Sequence, residues 1–235
     1  MIVTARTHIG NVRASNQDAL LVLEGPCGLY GVADGMGGHQ AGDVASRMAV
    51  EELTAALGGK KPSEKLLRLG IQEANRRIFD AQMQDEALSG MGTTLTMIWE
   101  DKRRVLLGHV GDSRAYRLRD GALQQVSRDH SLVAQMVRDG LLTPEEAARH
   151  PYRNIITRAL GTDESVEADI LELDKRPGDL YLICSDGLTE YVPDEGLKQI
   201  LTGARMEDAA DTLLRLALEG GGRDNISLVL AEVAS

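Results

Sequence analysis

Five aspartates, Asp18, Asp34, Asp112, Asp186 and Asp224, stand where an apolar run meets a turn, and four of them have glycine beside them or one residue away. One such residue is a turn; five are a pattern. Carboxylates gathered without matching Lys or Arg repel one another, and divalent cations relieve that repulsion. Two cations about 3.5–4 Å apart can share a water and acidify it to hydroxide near neutral pH, a nucleophile for in-line attack on phosphorus. Arg13, five residues before Asp18, carries a planar guanidinium suited to two phosphate oxygens, although by spacing alone it reads better as a surface arginine.

The densest stretch is Gly31-Val-Ala-Asp-Gly-Met-Gly-Gly-His39. An apolar run from Leu29 to Ala33 predicts a buried strand that ends at Asp34 and delivers a carboxylate into a glycine-rich turn. Asp34 could give a carboxylate and Gly35 a carbonyl to a hard cation such as Mg²⁺ or Mn²⁺. The same stretch also reads as a tight turn capped by an aspartate. Other chemistries lack their residues. There is no Gly-x-x-x-x-Gly-Lys-Ser/Thr phosphate loop and no Gly-x-Ser-x-Gly elbow, and the five histidines lack zinc spacing. Ser185 has no obvious His partner and reads as a turn residue.

These aspartates need elements to place them. Asp18 opens the apolar run Ala19–Leu23 and Asp34 closes the next one, with Glu24-Gly-Pro-Cys-Gly28 between, so a hairpin should set the two side by side. Helical spacing over Ala41–Ala56 and Leu67–Ala81 predicts two helices with apolar faces. Gly92–Trp99 and Arg104–Val110 read as a hairpin that runs out at Gly111-Asp112. Ala115–Leu118 and Ala122–Val126 flank the turn Arg119-Asp-Gly121. Two short helices are expected after His130, the second opened by the capping box Thr143-Pro-Glu-Glu146. Leu180–Cys184 leads to Asp186, a last helix spans Ala210–Leu218, and Asp224 stands at the mouth of the strand Ile226–Val233. The order of elements is α+β, not alternating βαβ.

Length and composition bound the answer. At 235 residues with 43% hydrophobic content, a single domain over 1–235 is expected. The net charge of −10 argues against a nucleic-acid or anionic-membrane surface as partner. Cys27 and Cys184 have neither metal spacing nor a disulfide framework, which suits a reducing compartment, and Cys184 reads as a small core residue. No signal peptide opens the sequence and no apolar run is long enough to span a membrane, so a cytoplasmic location is expected.

Arg13-x-x-Asn-Gln-Asp18, Val32-Ala-Asp-Gly-Met-Gly-Gly-His39, Gly92-Thr-Thr94, Val110-Gly-Asp-Ser-Arg-Ala-Tyr116, Asp129-His-Ser131, Thr157-Arg-Ala-Leu-Gly161, Cys184-Ser-Asp-Gly-Leu188 and Asp224-Asn225 together resemble the motifs of the PP2C-type (PPM) serine/threonine phosphatases, in their bacterial form. They come in family order over nearly the whole chain.

The resemblance implies a four-layer αββα sandwich, two antiparallel sheets flanked by helices, with a small helical flap over about 130–156. It implies two tightly bound Mn²⁺ or Mg²⁺ ions and a third, weaker one. Asp34 would bridge the pair, with Gly35 offering its carbonyl to one ion. Asp186 and Asp224 would hold the first ion, and Asp18 would act on the second directly or through water. Asp112, with Asp186, would hold the third. Arg13 would clamp the phosphate. His39 stands near the position of a family histidine that protonates the leaving seryl oxygen; a local turn hydrogen bond is its other reading. The implied activity is hydrolysis of phosphoserine and phosphothreonine on proteins by metal-bridged hydroxide, countering a Ser/Thr kinase and acting on its targets, in a monomer. A catalytically silent binding module of the same fold would have lost carboxylates that this chain keeps. A phosphatase of regulatory phosphoproteins in sporulation or sigma-factor control is a further option.

Overall fold

The computed structural model describes residues 1–38 and 41–234. The strands at the centre of each sheet are buried at nearly every position, which requires cover on both faces. The first sheet runs β1 (Ile2–His8), β11 (Ile226–Glu232), β10 (Leu180–Cys184), β7 (Arg114–Arg119), β8 (Ala122–Gln125). The second runs β2 (Asp18–Leu23), β3 (Leu29–Met36), β5 (Leu95–Glu100), β6 (Arg104–Val110), β9 (Asp169–Asp174), with the short β4 (Gly92–Thr93) paired to β3. Every paired strand is antiparallel.

The two-residue period then sorts side chains into three layers of core. Tyr181 and Ile183 of β10 face Tyr30, Val32, Ile98 and Leu107 between the sheets. Leu182 and Cys184 point the other way, onto α5 (Asp186–Thr189), α6 (Asp194–Gly203) and α7 (Met206–Gly220). Met97 and Trp99 of β5 pack outward on α1 (Ala41–Leu57) and α2 (Glu64–Gln84). The result is the αββα sandwich. Cys184 is fully buried, as its setting in the apolar run predicts. Among the described residues no helix is long and apolar enough to cross a membrane.

The differences from the sequence reading are local. β3 does not stop at Asp34; it continues to Met36, because Gly35 and Met36 pair with Thr93 and Gly92. The Gly92–Trp99 run is broken at Thr94, whose backbone and hydroxyl turn to Asp34 instead. The Ser185-Asp-Gly187 turn is the start of α5. Two elements have no counterpart in the reading. β9 is an edge strand whose Leu171 is exposed, so its apolar signal is diluted. The ten-residue α6 commits only Leu197 and Leu201 fully to the core. The Arg119-Asp-Gly121 turn behaves as expected, with Asp120 and Gly121 both at positive φ, 51° and 75°. Between β8 and β9 lie α3 (Leu132–Arg138) and α4 (Pro144–Ala148), the latter opened by the Thr143/Glu146 capping box.

Candidate metal centre

The β2–β3 hairpin puts Asp18 directly opposite Asp34. Opposed residues of an antiparallel pair share a face, so both carboxylates leave the second sheet together. The first sheet supplies the rest. Asp186 starts α5 straight after β10, Asp224 precedes β11, the neighbour of β10, and Asp112 lies in the β6–β7 connection that joins the two sheets.

Asp34 is fixed through its backbone. Its N–H donates to Thr94 Oγ1 at 3.0 Å, and its carbonyl accepts from Thr94 N–H at 2.8 Å and from Thr93 Oγ1 at 2.9 Å. A Cβ at Gly35 would stand 2.1 Å from the Gly42 carbonyl oxygen and 2.5 Å from that of Gln17, so only glycine lets the first turn of α1 close on this strand. Asp18 is buried, and Ser185 Oγ donates to its Oδ2 at 2.9 Å, while its Oδ1 is buried with no partner among the described residues. Arg13 Nη2 pairs with Asp224 Oδ2 at 2.6 Å.

The five carboxylates feel one another. Burial, then the charges of Asp18, Asp186, Asp112 and Asp224, holds the Asp34 carboxyl well above the usual carboxylate range. Burial, with neighbouring acids adding to it, pushes Asp18 and Asp112 up to about 6 and Asp186 up to about 8. The folded protein therefore holds protons that the unfolded chain has released. Stability contributed this way is greatest at low pH and is lost as pH rises through the folded values. Burial pushes His109 down to about 4, and it also lowers His130; both give the opposite slope, but only below the ordinary histidine value of about 6.5. We therefore expect the melting temperature of metal-free protein to fall between about pH 6.5 and 8.5, and Asp186→Asn to flatten that fall. Calorimetry showing no slope in this window would mean that the acids do not share a field.

The donors are carboxylate and carbonyl oxygens, the set a hard divalent cation takes. An unpartnered buried carboxylate oxygen and four acids with raised proton affinity fit a cation as the missing counter-charge. Among the described residues no three acidic, imidazole or thiol groups already form a finished ligand set. Asp224 is turned to Arg13 and Asp18 to Ser185. Shallow cavities of about 330 and 290 Å³ lie on the outer faces of α6 and α1, and neither is lined by an aspartate of the cluster. Asp34, Asp112, Asp186 and Asp224 are each only half-buried.

All five predicted aspartates, Gly35 and Arg13 thus lie at one end of the sandwich; His39 lies outside the described residues. Several supporting residues had no role in the sequence reading. Asn225 accepts from Gln17 N–H at 2.8 Å and donates to the Ile9 and Ser15 carbonyls at 2.9 and 3.0 Å, which pins the Arg13 loop to β11. Ser185 links Asp18 to Ser227 N–H, which donates to its Oγ at 2.9 Å. Thr94 seats Asp34. Each lies next to, or inside, a quoted motif, but a hydroxyl or amide carries no sequence signal for its partner.

The chain belongs to the Protein phosphatase 2C family, whose profile matches residues 6–223. It is 42% identical over 232 residues to the serine/threonine protein phosphatase PstP of Mycobacterium tuberculosis, covering 97% of this chain but 44% of that protein. The chain thus spans less than half the length of that relative. It is also 42% identical over 236 residues to the serine/threonine phosphatase stp of Listeria welshimeri, covering 97% of this chain and 94% of that protein. The crystal structure of Mycobacterium tuberculosis PstP/Ppp superposes with a TM-score of 0.92 at 40% identity, covering 100% of this chain and 99% of that one. A structure of the PstP catalytic domain in complex with two manganese ions superposes with a TM-score of 0.90 at 38% identity, covering 100% and 98%.

Proposed function

We propose that this protein removes phosphate from phosphoserine and phosphothreonine of proteins, with divalent cations, Mn²⁺ or Mg²⁺, as cofactor. The observation that carries the reading is Asp18 in register with Asp34 at the end of the sandwich where Asp186, Asp224 and Arg13 also lie. A relative solved with two manganese ions supports the choice of cation.

In this reading Asp34 and the Gly35 carbonyl would help hold the cations, Asp186 and Asp224 would hold a first ion and Asp18 would serve a second. Asp112, with Asp186, would serve a third, weaker ion. When bound, the cations lower the pKa of water and neutralise phosphate charge. The chain's own residues do the rest. Asp34 is held by three hydrogen bonds to its backbone, so the point from which its side chain leaves the strand is fixed. Arg13 uses one N–H for Asp224, and the guanidinium has five, so donors remain for phosphate oxygens. The partners in this reading are phosphoproteins that a Ser/Thr kinase has modified, met by a monomer in the cytoplasm.

The test is hydrolysis of p-nitrophenyl phosphate and a phosphothreonine peptide by metal-stripped protein titrated with Mn²⁺ and Mg²⁺. Release of phosphate from both that depends on added metal is expected. Folded protein inactive at every metal concentration would refute the reading and favour a binding module.

A further inference from the structure

Among the described residues no other side chain anchors the Asp112 carboxylate, yet its neighbour Gly111 is held by His130 and its neighbour Ser113 by Thr96, which touches His109. His130 clasps Gly111 twice: its N–H donates to the Gly111 carbonyl at 2.7 Å, and its Nδ1 accepts from Gly111 N–H at 3.1 Å. On the other side, Thr96 Oγ1 donates to the Ser113 carbonyl at 2.9 Å and lies 2.9 Å from His109 Nδ1. His109 is fully buried, and its Nε2 donates to the Arg128 carbonyl at 2.9 Å. The two rings lie against each other with centroids 4.8 Å apart.

This pair therefore touches two things at once. One is the Gly111–Ser113 turn. The other is the base of the 130–156 segment, entered through Arg128 and His130 and closed where Thr157 N–H donates to the His130 carbonyl at 2.7 Å. The turn cannot relax freely, because Gly111 sits at φ +110° with Thr94 where a side chain would be. Ser113 Oγ lies 2.8 Å from Thr94 Oγ1, the hydroxyl that seats Asp34. An unbroken chain of buried polar contacts thus joins the Asp34 backbone to the segment base.

The hydrogen count in this chain makes the ring matter. The Arg128 carbonyl only accepts, so Nε2 carries the hydrogen of a neutral His109. Nδ1 must then accept from Thr96, whose single hydroxyl hydrogen is also claimed by the Ser113 carbonyl. A neutral ring leaves that hydrogen shared between the segment-base side and the Asp112 side. Replacing the ring would decide the competition.

We propose that His109, packed against His130 with its ring tilted by 41°, is a positioning residue that holds the Asp112 turn and the base of the 130–156 segment at a fixed separation. The inference rests on the phosphatase reading above. Asn can reproduce the Nδ1 contact to Thr96 but not the reach to Arg128; Gln can reproduce the reach to Arg128 but not the contact to Thr96. His109→Asn should therefore loosen the segment base, and His109→Gln, which leaves the Thr96 hydrogen to the Ser113 carbonyl alone, should tighten the Asp112 turn.

The experiment compares wild type, His109→Asn and His109→Gln as whole chains. Wild-type phosphate release that depends on Mn²⁺ is the control; its failure would sink the phosphatase reading rather than this one. With an active wild type, we expect His109→Gln to shift the weakest phase of Mn²⁺ binding, followed calorimetrically, by about tenfold, with KM unchanged. We expect His109→Asn to raise KM for a phosphothreonine peptide by about tenfold while leaving Mn²⁺ binding alone. Amide exchange in metal-free protein should slow at Gly111–Ser113 in the Gln variant and quicken at 130–132 in the Asn variant. Variants whose only change is a lower melting temperature, with Mn²⁺ binding, KM and local exchange as in wild type, would show a packing role and overturn the proposal. If either variant does not fold, Thr96→Val removes the shared hydroxyl and should quicken exchange at Gly111–Ser113 and shift the weakest phase of Mn²⁺ binding; exchange and Mn²⁺ binding as in wild type there overturn the proposal equally.

Discussion

Asp34→Asn should reduce phosphate release by about three orders of magnitude or more, corresponding to about 4 kcal/mol of lost charge stabilisation. Asn keeps the size of the side chain but cannot carry the charge that two cations would share. The loss should not come from unfolding. The backbone of Asp34 is held by Thr93 and Thr94, and those bonds do not use its side chain. Its carboxyl also repels Asp18, Asp186, Asp112 and Asp224, so neutralising it should make the metal-free protein more resistant to heat at pH 8. The two readouts move in opposite directions. Kinetics with p-nitrophenyl phosphate and calorimetry on the same preparation would check them together. A variant that stays active, or one that loses activity and stability together, would remove Asp34 from the centre of the mechanism.

Arg13→Ala should lower kcat/KM by about 50-fold, the equivalent of about 2.3 kcal/mol for hydrogen bonds to a charged group. Most of that should fall on KM, since a guanidinium that grips phosphate oxygens does so before as well as during reaction. The pairing with Asp224 complicates the reading: removing Arg13 also frees a carboxylate assigned to the first cation. Arg13→Lys separates the effects. Lys keeps the positive charge near Asp224 but lacks the planar fork, so it should retain Mn²⁺ affinity and still bind phosphate poorly. An unchanged KM in the Ala variant would place Arg13 outside the substrate site. The exposure of Arg13, about half in its side chain, leaves it reachable by a protein-borne phosphate.

The site was legible because its chemistry is written in short, local signals. An apolar run ending at Asp and Gly can be recognised without neighbours, and a hairpin of known loop length fixes which residues face each other. That is why Asp18 opposite Asp34 followed from the chain alone and holds in the register. The Thr143/Glu146 capping box and the Asp120-Gly121 turn are of the same kind, since each involves residues three or fewer apart.

What escaped were features whose cause lies far along the chain. β3 runs past Asp34 only because Gly92 and Thr93, more than fifty residues later, pair with it. β9 is a strand because β6 offers it an edge, and α6 is a helix because the outer face of β7 and β10 needs cover; neither segment has an apolar pattern strong enough by itself. Asn225, Ser185, Thr94, His109 and His130 look like ordinary polar residues until the fold buries them among specific partners. The sequence by itself determined which residues could hold cations and phosphate, because charge and backbone freedom are properties of residue type. Only the tertiary structure decided how those residues are held, because a hydrogen bond between a buried hydroxyl and a turn exists only once two sheets have packed face to face.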